Sequence, residues 1–503
     1  MPGATLNSMQ TDVVPELRSR SLPPDFAWKP VGAVAGLAGI VLLIASRHYG
    51  YFFDEAYFTV AGRDHLAWGY FDQPPLIPAL AGLAAHLAPG SLTVMRLPVI
   101  VAAIAGIVTT GLIARELGGG RGAQTLAAIA YTLSSAVILA HWLATYSMDP
   151  QLWTIIVFLV LRWARQHSEG RADDRLLLAA GVVTAVAMQT KFLVPALWVA
   201  LGVGALVFGP RRLLGRPLLW VGLVIAALAT VPTLVWQARN GWPYTHMSQV
   251  VAAEFPGVGP MLRDAVYSTG LEVGLPLLAI GLVMLFVDKR FRPYRCFGAA
   301  AILVTVAIVL MHGRANYVAD VYALPMAAGA VVVTTLPWQR VVRPVTAVMV
   351  TVGAAVWLTA MPIYPRAWAE RIPDLPTTLT AKAFAQADSA MTDMATTAEQ
   401  TYRALPPEVR THTAILTEIY PVAAAIDLNR PETGLPPTYS GFRGYYYFGH
   451  PSDDIVNVLY LGTPNPTLAA TFIESSSLVP DFATLYTGRK ISWTNLWPQL
   501  RAQ

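Results

Sequence analysis

Cysteine and charge are the two things this sequence has least of. Cys296 is the single cysteine among 503 residues, which excludes an internal disulfide framework and a metal site built from cysteines. Charged residues make up only 13% of the chain, and hydrophobic residues make up 55%. A soluble domain carries about 25% charged residues. The composition therefore indicates an α-helical polytopic membrane protein.

Several signatures of catalysis and binding are also missing. The sequence contains no Walker loop, zincin motif, dinucleotide-binding glycine fingerprint or GxSxG elbow. The formal net charge of +5 does not indicate nucleic acid as a partner, because the basic residues lie at the ends of apolar segments. A cleavable signal peptide is not evident, since the first apolar run, 31–46, lacks a small-residue cleavage site. We expect this run to remain as a membrane anchor.

Hydrophobic runs fill most of the first 361 residues. A membrane-spanning helix needs about 17–25 mostly apolar residues, and eleven runs approach that length. We predict spans at about 31–48, 93–114, 123–142, 149–164, 176–191, 192–209, 217–236, 270–287, 296–312, 320–337 and 343–361. Arginine and lysine concentrate in alternate loops, a pattern typical of the cytoplasmic side. Residues 1–30 are therefore predicted to be a cytoplasmic tail, and residues 31–361 a multi-pass domain of the plasma (inner) membrane.

The composition changes after about residue 362. A proline-punctuated linker precedes a helical stretch at about 380–404. Thr413 to Thr417 and Asp454 to Leu461 have the hydrophobic patterns of strands. Alternating strands and helices predict a small α/β domain at 362–503, on the extracytoplasmic face because an odd number of spans precedes it.

The outer loop 49–92 carries the acids that stand out most. Asp54 and Glu55 lie between aromatic residues, and Asp72 precedes a Pro-Pro pair. Acids beside membrane spans are costly unless they are solvated or used. A carboxylate can act as a general base, and two can hold a divalent cation. The alternatives are a solvated loop or a pair with Arg63 for Asp54 and Glu55, and a helix cap for Asp72.

Four other polar residues are predicted on the same face. Asp149, before Pro150, is either a helix N-cap or part of the same cavity. Lys191 and Arg314 lie at outer ends of spans, where they either neutralise a phosphate or extend to the membrane interface. Tyr322 lies near Arg314, and such a cation and phenol would suit a lipid-anchored phosphate.

The loop opening at Gln237 is the longest outer loop before the C-terminal domain. Trp242 suits either an interfacial aromatic belt or a platform on which a sugar stacks. His246 is a candidate polar contact, although a lone histidine is more often a packing residue.

These segments, in this order, resemble the bacterial members of the lipid-linked-sugar glycosyltransferases of the GT-C class. The branch is the one that contains protein O-mannosyltransferases and the aminoarabinose transferase that modifies lipid A. The resemblance covers most of the chain and is carried by Asp54-Glu55, Asp72-x-Pro-Pro, Thr190-Lys191-Phe192, Trp236 to His246, Arg314 to Pro325, and Ala423 to Asp427.

The resemblance implies an inverting transfer of a monosaccharide from a polyprenyl-phosphate donor to an envelope glycan, lipid or protein. Asp54 would be the general base, and Glu55 and Asp72 would support the site or a divalent cation, with no organic cofactor. Asp149 would line the cavity; Lys191, Arg314 and Tyr322 would bind the donor phosphate. Tyr57 and Gln73 stand where the aminoarabinose-transferring relatives have Arg and Lys, which argues against an anionic acceptor such as lipid A.

Two other classes of function compete with this prediction. A transporter or flippase would carry charged residues at mid-span on two related halves, but no internal repeat is visible. A non-catalytic assembly subunit would use its C-terminal domain to bind a partner and would tolerate loss of the three acids.

Overall fold

A computed structural model describes residues 23–369, 371–374 and 378–502. Residues 1–22 of the predicted cytoplasmic tail therefore lie outside the described residues. The first part of the chain forms sixteen α-helices within the described residues: α1 Trp28–Ala45, α2 Phe53–Asp64, α3 Leu76–Leu87, α4 Leu92–Glu116, α5 Arg121–Thr132, α6 Ser135–Ile138, α7 Thr145–Ser168, α8 Arg175–Thr190, α9 Val194–Phe208, α10 Pro217–Arg239, α11 Pro243–Ala253, α12 Val258–Tyr267, α13 Gly274–Val287, α14 Arg295–Leu310, α15 Ala323–Thr335 and α16 Gln339–Ala360.

The predicted membrane spans all coincide with helices. Five of the described helices are long and apolar enough to cross a membrane: α1, α4, α10, α14 with the short turn before it, and α16. Two bent pairs raise this number to seven. The first joins α5 to the segment Ser135–His141 at 62°, and the second joins the 3₁₀ helix Ala315–Val321 to α15 at 58°. The multi-pass architecture is confirmed, and the number of eleven spans stays a prediction.

The segment predicted as the outer loop 49–92 contains the two helices α2 and α3. These two helices pack at backbone contact through Gly62 and Gly82. A Cβ atom on Gly62 would lie 1.8 Å from the carbonyl oxygen of Pro78, and one on Gly82 would lie 2.3 Å from Gly62. Small residues allow such close approach between helices in membrane proteins. The packing fixes the two segments that carry Asp54 and Asp72 relative to each other.

The C-terminal domain is a sheet with helices. Its helices are α17 Arg366–Ala369, α18 Leu379–Arg403, α19 Pro407–Arg410, α20 Tyr420–Thr433, α21 Pro466–Thr471 and α22 Trp493–Leu496; its strands are β1 Thr413–Thr417, β2 Thr438–Ser440, β3 Asn457–Leu461, β4 Phe472–Val479 and β5 Ala483–Arg489. The order is β2-β1-β3-β5-β4. The first three strands are parallel, and β5 pairs antiparallel with both β3 and β4. The predicted strands β1 and β3 are confirmed.

The sheet has a two-sided core because the inner strand β1 is buried along its whole length. Ile415 packs with residues of α18 and α20 on one face. Leu416 packs on the other face with Trp493 and Trp497. Alternate side chains of a strand point to opposite faces, so a strand with no polar alternation is covered on both sides.

The C-terminal domain contacts the helical domain through α20, which packs against α2. The Arg63 guanidinium donates hydrogen bonds to the carbonyl oxygens of Asp427 (2.7 Å) and Leu428 (3.4 Å). Arg430 of α20 pairs with Asp64 of α2 at 3.1 Å. Arg63 therefore joins the two domains and does not pair with Asp54 or Glu55, which removes one of the alternatives considered for these acids.

Candidate active site

One cavity of about 250 Å³ lies where α2, α7, α9, α11 and α14 meet the C-terminal domain. We call it the site cavity. Its polar lining includes Asp54, Asp72, Gln73, Tyr146, Lys191, Tyr244, Arg314, Tyr317, Tyr420 and Arg443. Its apolar lining includes Leu193, Ala196, Val251, Val304, Ala307 and Ile308. Carboxylates, cations and an aliphatic wall thus share one enclosure.

Asp54 lies in the first turn of α2 and faces the cavity. Its Oδ1 accepts a hydrogen bond of 2.6 Å from the Tyr420 hydroxyl, which belongs to the C-terminal domain. Burial raises the pKa of Asp54 above its usual range, and the hydrogen bond from Tyr420 opposes that shift. A carboxylate with a raised pKa is a stronger base than an exposed one and is suited to accept a proton.

Glu55 points away from the cavity and is fully buried. Its Oε1 accepts from Arg96 Nε (2.9 Å) and the Leu143 amide (2.8 Å); its Oε2 accepts from Arg96 Nη2 (2.6 Å) and the Phe52 amide (3.1 Å). All of these groups hold the start of α2 in place. The catalytic assignment of Glu55 is therefore corrected: it is a positioning residue, because four donors already occupy its two oxygens and it does not line the cavity.

Asp72 is held in the loop between α2 and α3. The Tyr57 hydroxyl donates a 3.2 Å hydrogen bond to Asp72 Oδ1. Burial and the negative charge of Asp54 raise the pKa of Asp72 to about 6. The alternative that Asp72 caps α3 is wrong, because α3 begins at Leu76 and its N-cap is Pro75.

Asp54 and Asp72 both line the site cavity, and the divalent cation expected between them stays a prediction. A Mg²⁺ ion usually takes one or two carboxylates from a protein and completes its shell with water and substrate phosphate. No cluster of three or more His, Cys, Asp or Glu side chains suited to a metal occurs among the described residues. The two aspartates are therefore the carboxylates that would hold a cation at this cavity.

Lys191 ends α8 and lies over the ring of Tyr317, with Nζ 3.2 Å from the ring centroid. Two fully enclosed acids, Asp149 and Asp320, interact electrostatically with each other and with this ammonium group. The Lys191 Nζ is buried without a hydrogen-bond partner among the described residues. This cluster lies beneath the cavity, and Lys191 is its one member that lines the wall.

Neither alternative for Asp149, an N-cap or a residue of the cavity wall, matches the structure. Helix α7 begins at Thr145, so both Asp149 and Pro150 lie inside its first turns. Its residues Thr145 and Tyr146 line the cavity, whereas Asp149 itself does not. Sequence reasoning missed Asp320, which lies in the same motif region as Arg314.

Arg314 and Arg443 approach the cavity from different domains. Both bind Glu254, which ends α11: Arg314 Nη2 lies 2.5 Å from Oε2, and Arg443 Nη2 lies 3.1 Å from Oε1. Arg443 has a backbone φ of 47°, an uncommon value for a residue with a side chain. A Cβ atom on the next residue, Gly444, would lie 1.9 Å from the Tyr57 hydroxyl, so only glycine allows this turn to lie against α2.

Besides Asp149, three other residues predicted to bind substrate lie outside the cavity lining. Tyr322 is buried and donates to the Ala265 carbonyl at 2.9 Å, so its role is structural, and Tyr317 supplies the phenol beside Lys191. Trp242 is 48% exposed and belongs to the turn before α11. His246 does not line the cavity, although its neighbour Tyr244 does.

Tyr420 and Arg443 are the functional candidates that sequence reasoning missed. Tyr420 begins α20 just before the segment 423–427 that carried the resemblance, and Arg443 follows Ser440-Gly441 in an aromatic run. The sequence signal that could have indicated Tyr420 and Arg443 was the cluster of aromatic and basic residues beside these segments. Nothing local indicated that they would reach a site more than 350 residues earlier in the chain.

Comparisons with known proteins identify the fold. Residues 72–236, about a third of the chain, match the sequence profile of the dolichyl-phosphate-mannose-protein mannosyltransferase family. The structure of ArnT from Cupriavidus metallidurans bound to undecaprenyl phosphate superposes with a TM-score of 0.58 at 18% identity, over 90% of this chain and 97% of that one. The chain has the fold of a GT-C glycosyltransferase.

Two further solved structures have a similar fold. The apo structure of the same ArnT matches with a TM-score of 0.56 at 17% identity, over 94% of this chain and 99% of that one. The archaeal oligosaccharyltransferase AglB from Archaeoglobus fulgidus, in complex with an inhibitory peptide and a dolichol-phosphate, matches with a TM-score of 0.51 at 11% identity. That match covers 87% of this chain and 70% of AglB. No curated protein sequence matches the chain significantly. The resemblance inferred from the sequence is thus confirmed.

Proposed function

We propose that this GT-C protein transfers a monosaccharide, with inversion, from a polyprenyl-phosphate donor to an acceptor of the cell envelope. Transfer takes place on the extracytoplasmic side of the inner membrane. One observation carries the proposal: the site cavity joins a pair of carboxylates, two arginines and an aliphatic wall. A donor with a sugar, a phosphate and a lipid tail needs these three surfaces in that order.

The aliphatic wall suits the lipid tail. It is formed by α9 and α14, through residues such as Ala196 and Ile308. Elsewhere these helices expose apolar side chains, including Val199 (67% exposed) and Leu310 (75% exposed). Large exposed apolar surfaces on helices of this composition face lipid, so the tail reaches the wall directly from the bilayer.

Asp54 is proposed as the general base. Its carboxylate takes the proton of an acceptor hydroxyl as that oxygen attacks the anomeric carbon of the sugar. The bond between the anomeric carbon and the phosphate oxygen breaks, and its electron pair passes to the phosphate. Arg314 and Arg443 stabilise the charge that develops there. A divalent cation at Asp54 and Asp72 would supply further neutralisation, and transfer in the presence and absence of EDTA tests that requirement.

The transporter alternative is not favoured by the charged cluster. Asp149 lies in the first turns of α7, Lys191 ends α8, and Asp320 lies in the turn before α15. These positions are helix ends beside the site cavity. A transport pathway would instead place such residues near the middle of discontinuous spans.

The test is sugar transfer in proteoliposomes with a panel of labelled polyprenyl-phosphate monosaccharides and an envelope extract as the source of acceptor. We expect transfer by the wild type and a loss of at least about a hundredfold in Asp54→Asn. Asp264→Asn, in the exposed helix α12, is the matched control and should retain activity. Transfer by Asp54→Asn at the wild-type rate, in correctly inserted protein, would contradict the assigned role.

A further inference from the structure

Glu254 is bound by two arginines that both line the site cavity, although Glu254 does not line it. Arg314 reaches it from the turn after α14, and Arg443 reaches it from the C-terminal domain. A carboxylate between two guanidinium groups has the charge and the acceptor oxygens of a small phosphate ligand. The position of Glu254 therefore marks an anion site at the rim of the cavity.

Charge favours this rim position over the inner position for a phosphate. The inner cation, Lys191, shares its surroundings with the acids Asp149 and Asp320, so that cluster has no excess of positive charge. At the rim, Arg314 and Arg443 bind Glu254 directly, and both also interact electrostatically with Asp54. Two guanidinium groups that meet at one point can hold a phosphate from two sides, which the single ammonium group of Lys191 cannot do.

The carboxylate of Glu254 is held by little besides its two ion pairs. Its side chain is 43% exposed, and Pro243 is the only buried residue of α11. The backbone of Arg443, in contrast, is held in a disfavoured conformation with φ 47°. The Arg443 side chain is only 18% exposed, so it is more enclosed than the glutamate, which can move into water without breaking a packed core.

We infer that Glu254 occupies the place that the donor phosphate takes between Arg314 and Arg443, and that the two exchange when the donor binds. The identity of the phosphate rests on the proposed function. The donor phosphodiester carries one negative charge, like the carboxylate that it displaces. The released polyprenyl phosphate carries a charge of about −1.5 to −2, so the arginines stabilise the leaving group and Glu254 then competes with it for release.

The experiment measures binding of undecaprenyl phosphate to the purified full-length protein in nanodiscs, with undecaprenol as the probe that lacks phosphate. Removing the competing carboxylate in Glu254→Gln should tighten binding about fivefold, as expected from the loss of two exposed ion pairs. Arg443→Gln and Arg314→Gln should each weaken it about tenfold. Arg263→Gln, which alters an exposed pair with Asp264 in α12, is the control and should leave the dissociation constant unchanged.

Unchanged or weaker binding by both Glu254→Gln and Glu254→Ala, with melting temperatures equal to wild type, would overturn the inference. Wild-type affinity in Arg443→Gln would overturn it as well. Failure of sugar transfer with the predicted order of affinities intact would count against the proposed function alone. Transfer by the wild type without the predicted effect at Glu254 would count against the exchange alone.

Discussion

The Tyr420 hydroxyl donates a 2.6 Å hydrogen bond to the carboxylate of Asp54, across 366 residues of sequence. The donor belongs to the C-terminal domain and the acceptor to the first turn of α2. The site cavity is therefore shared between the helical domain and the C-terminal domain, and neither part of the chain contains the complete set of groups.

Tyr420→Phe is expected to lower kcat about tenfold and to move the acid limb of the pH–rate profile to higher pH. The hydrogen bond from Tyr420 favours the ionised carboxylate, so its loss raises the pKa of Asp54 further, and the base becomes active only at higher pH. The measurement is the transfer rate from pH 5 to pH 9. Tyr439→Phe removes a hydroxyl of the same domain outside the cavity and should leave the profile unchanged; an unshifted profile in Tyr420→Phe would refute the coupling.

Glu55→Gln is expected to destabilise the protein by about 3–5 kcal/mol, because it leaves the fully buried guanidinium of Arg96 without its charged partner. The same change should reduce transfer, since Asp54 is the adjacent residue. Thermal unfolding in detergent measures the first effect. Glu399→Gln breaks an exposed pair with Arg403 in α18 and should cost about 0.5 kcal/mol or less. A similar, small effect in both variants would show that Glu55 does not anchor α2.

Gly82→Ala is expected to destabilise the protein by about 1–3 kcal/mol through overpacking. Its Cβ would lie 2.3 Å from the backbone of Gly62, so α2 and α3 must separate and shift Asp54 relative to Asp72. Melting temperature and transfer rate are the two readouts. Gly36→Ala in α1 has nothing within 4 Å of the new atom and should be neutral or stabilising. Equal effects of the two changes would rule out the close contact.

Asp427→Asn is expected to change the pH dependence of stability. Burial raises the pKa of Asp427 to about 6, against hydrogen bonds from Thr438 and Tyr445 that lower it. An acid with a raised pKa stabilises the fold below its unfolded pKa near 4, and that stability is lost as the pH rises through about 6; a shift of about two units corresponds to about 3 kcal/mol.

The Asn variant cannot titrate, so its melting temperature relative to wild type should be higher at pH 7.5 than at pH 4.5. The same scan on Asp393→Asn, an exposed residue of α18, provides the control and should give a constant difference. A constant difference for Asp427→Asn as well would disprove the raised pKa.

Individual residues show how far sequence reasoning reached. Asp54 and Asp72 were predicted to share a site because acids near membrane spans are costly, and both line the cavity. The same argument about the cost of acids applied to Glu55, but Glu55 pairs with a buried arginine and does not line the cavity. Its partner Arg96 lies 41 residues away in α4, and no local pattern distinguishes an acid that faces a cavity from one that faces a buried arginine.

A similar limit applies to the phosphate-binding groups. Arg314 was predicted from its place at a span end and lines the cavity. Tyr322 was predicted from the same motif, but it turns into the bundle, and Tyr317 takes its place beside Lys191. The 3₁₀ geometry of this segment decides which phenol faces the cavity, because three residues per turn orient side chains differently from an α-helix.

Hydropathy and strand patterns are local properties of the chain, so they were enough to predict a multi-pass helical membrane protein with a small α/β domain. They also indicated the segments from which the acids of the site come. That Tyr420, Arg443 and Glu254 lie beside those segments could be seen only in the folded structure. Contacts between distant segments depend on how packed helices and the C-terminal domain fit together, and that fit is a property of the whole fold.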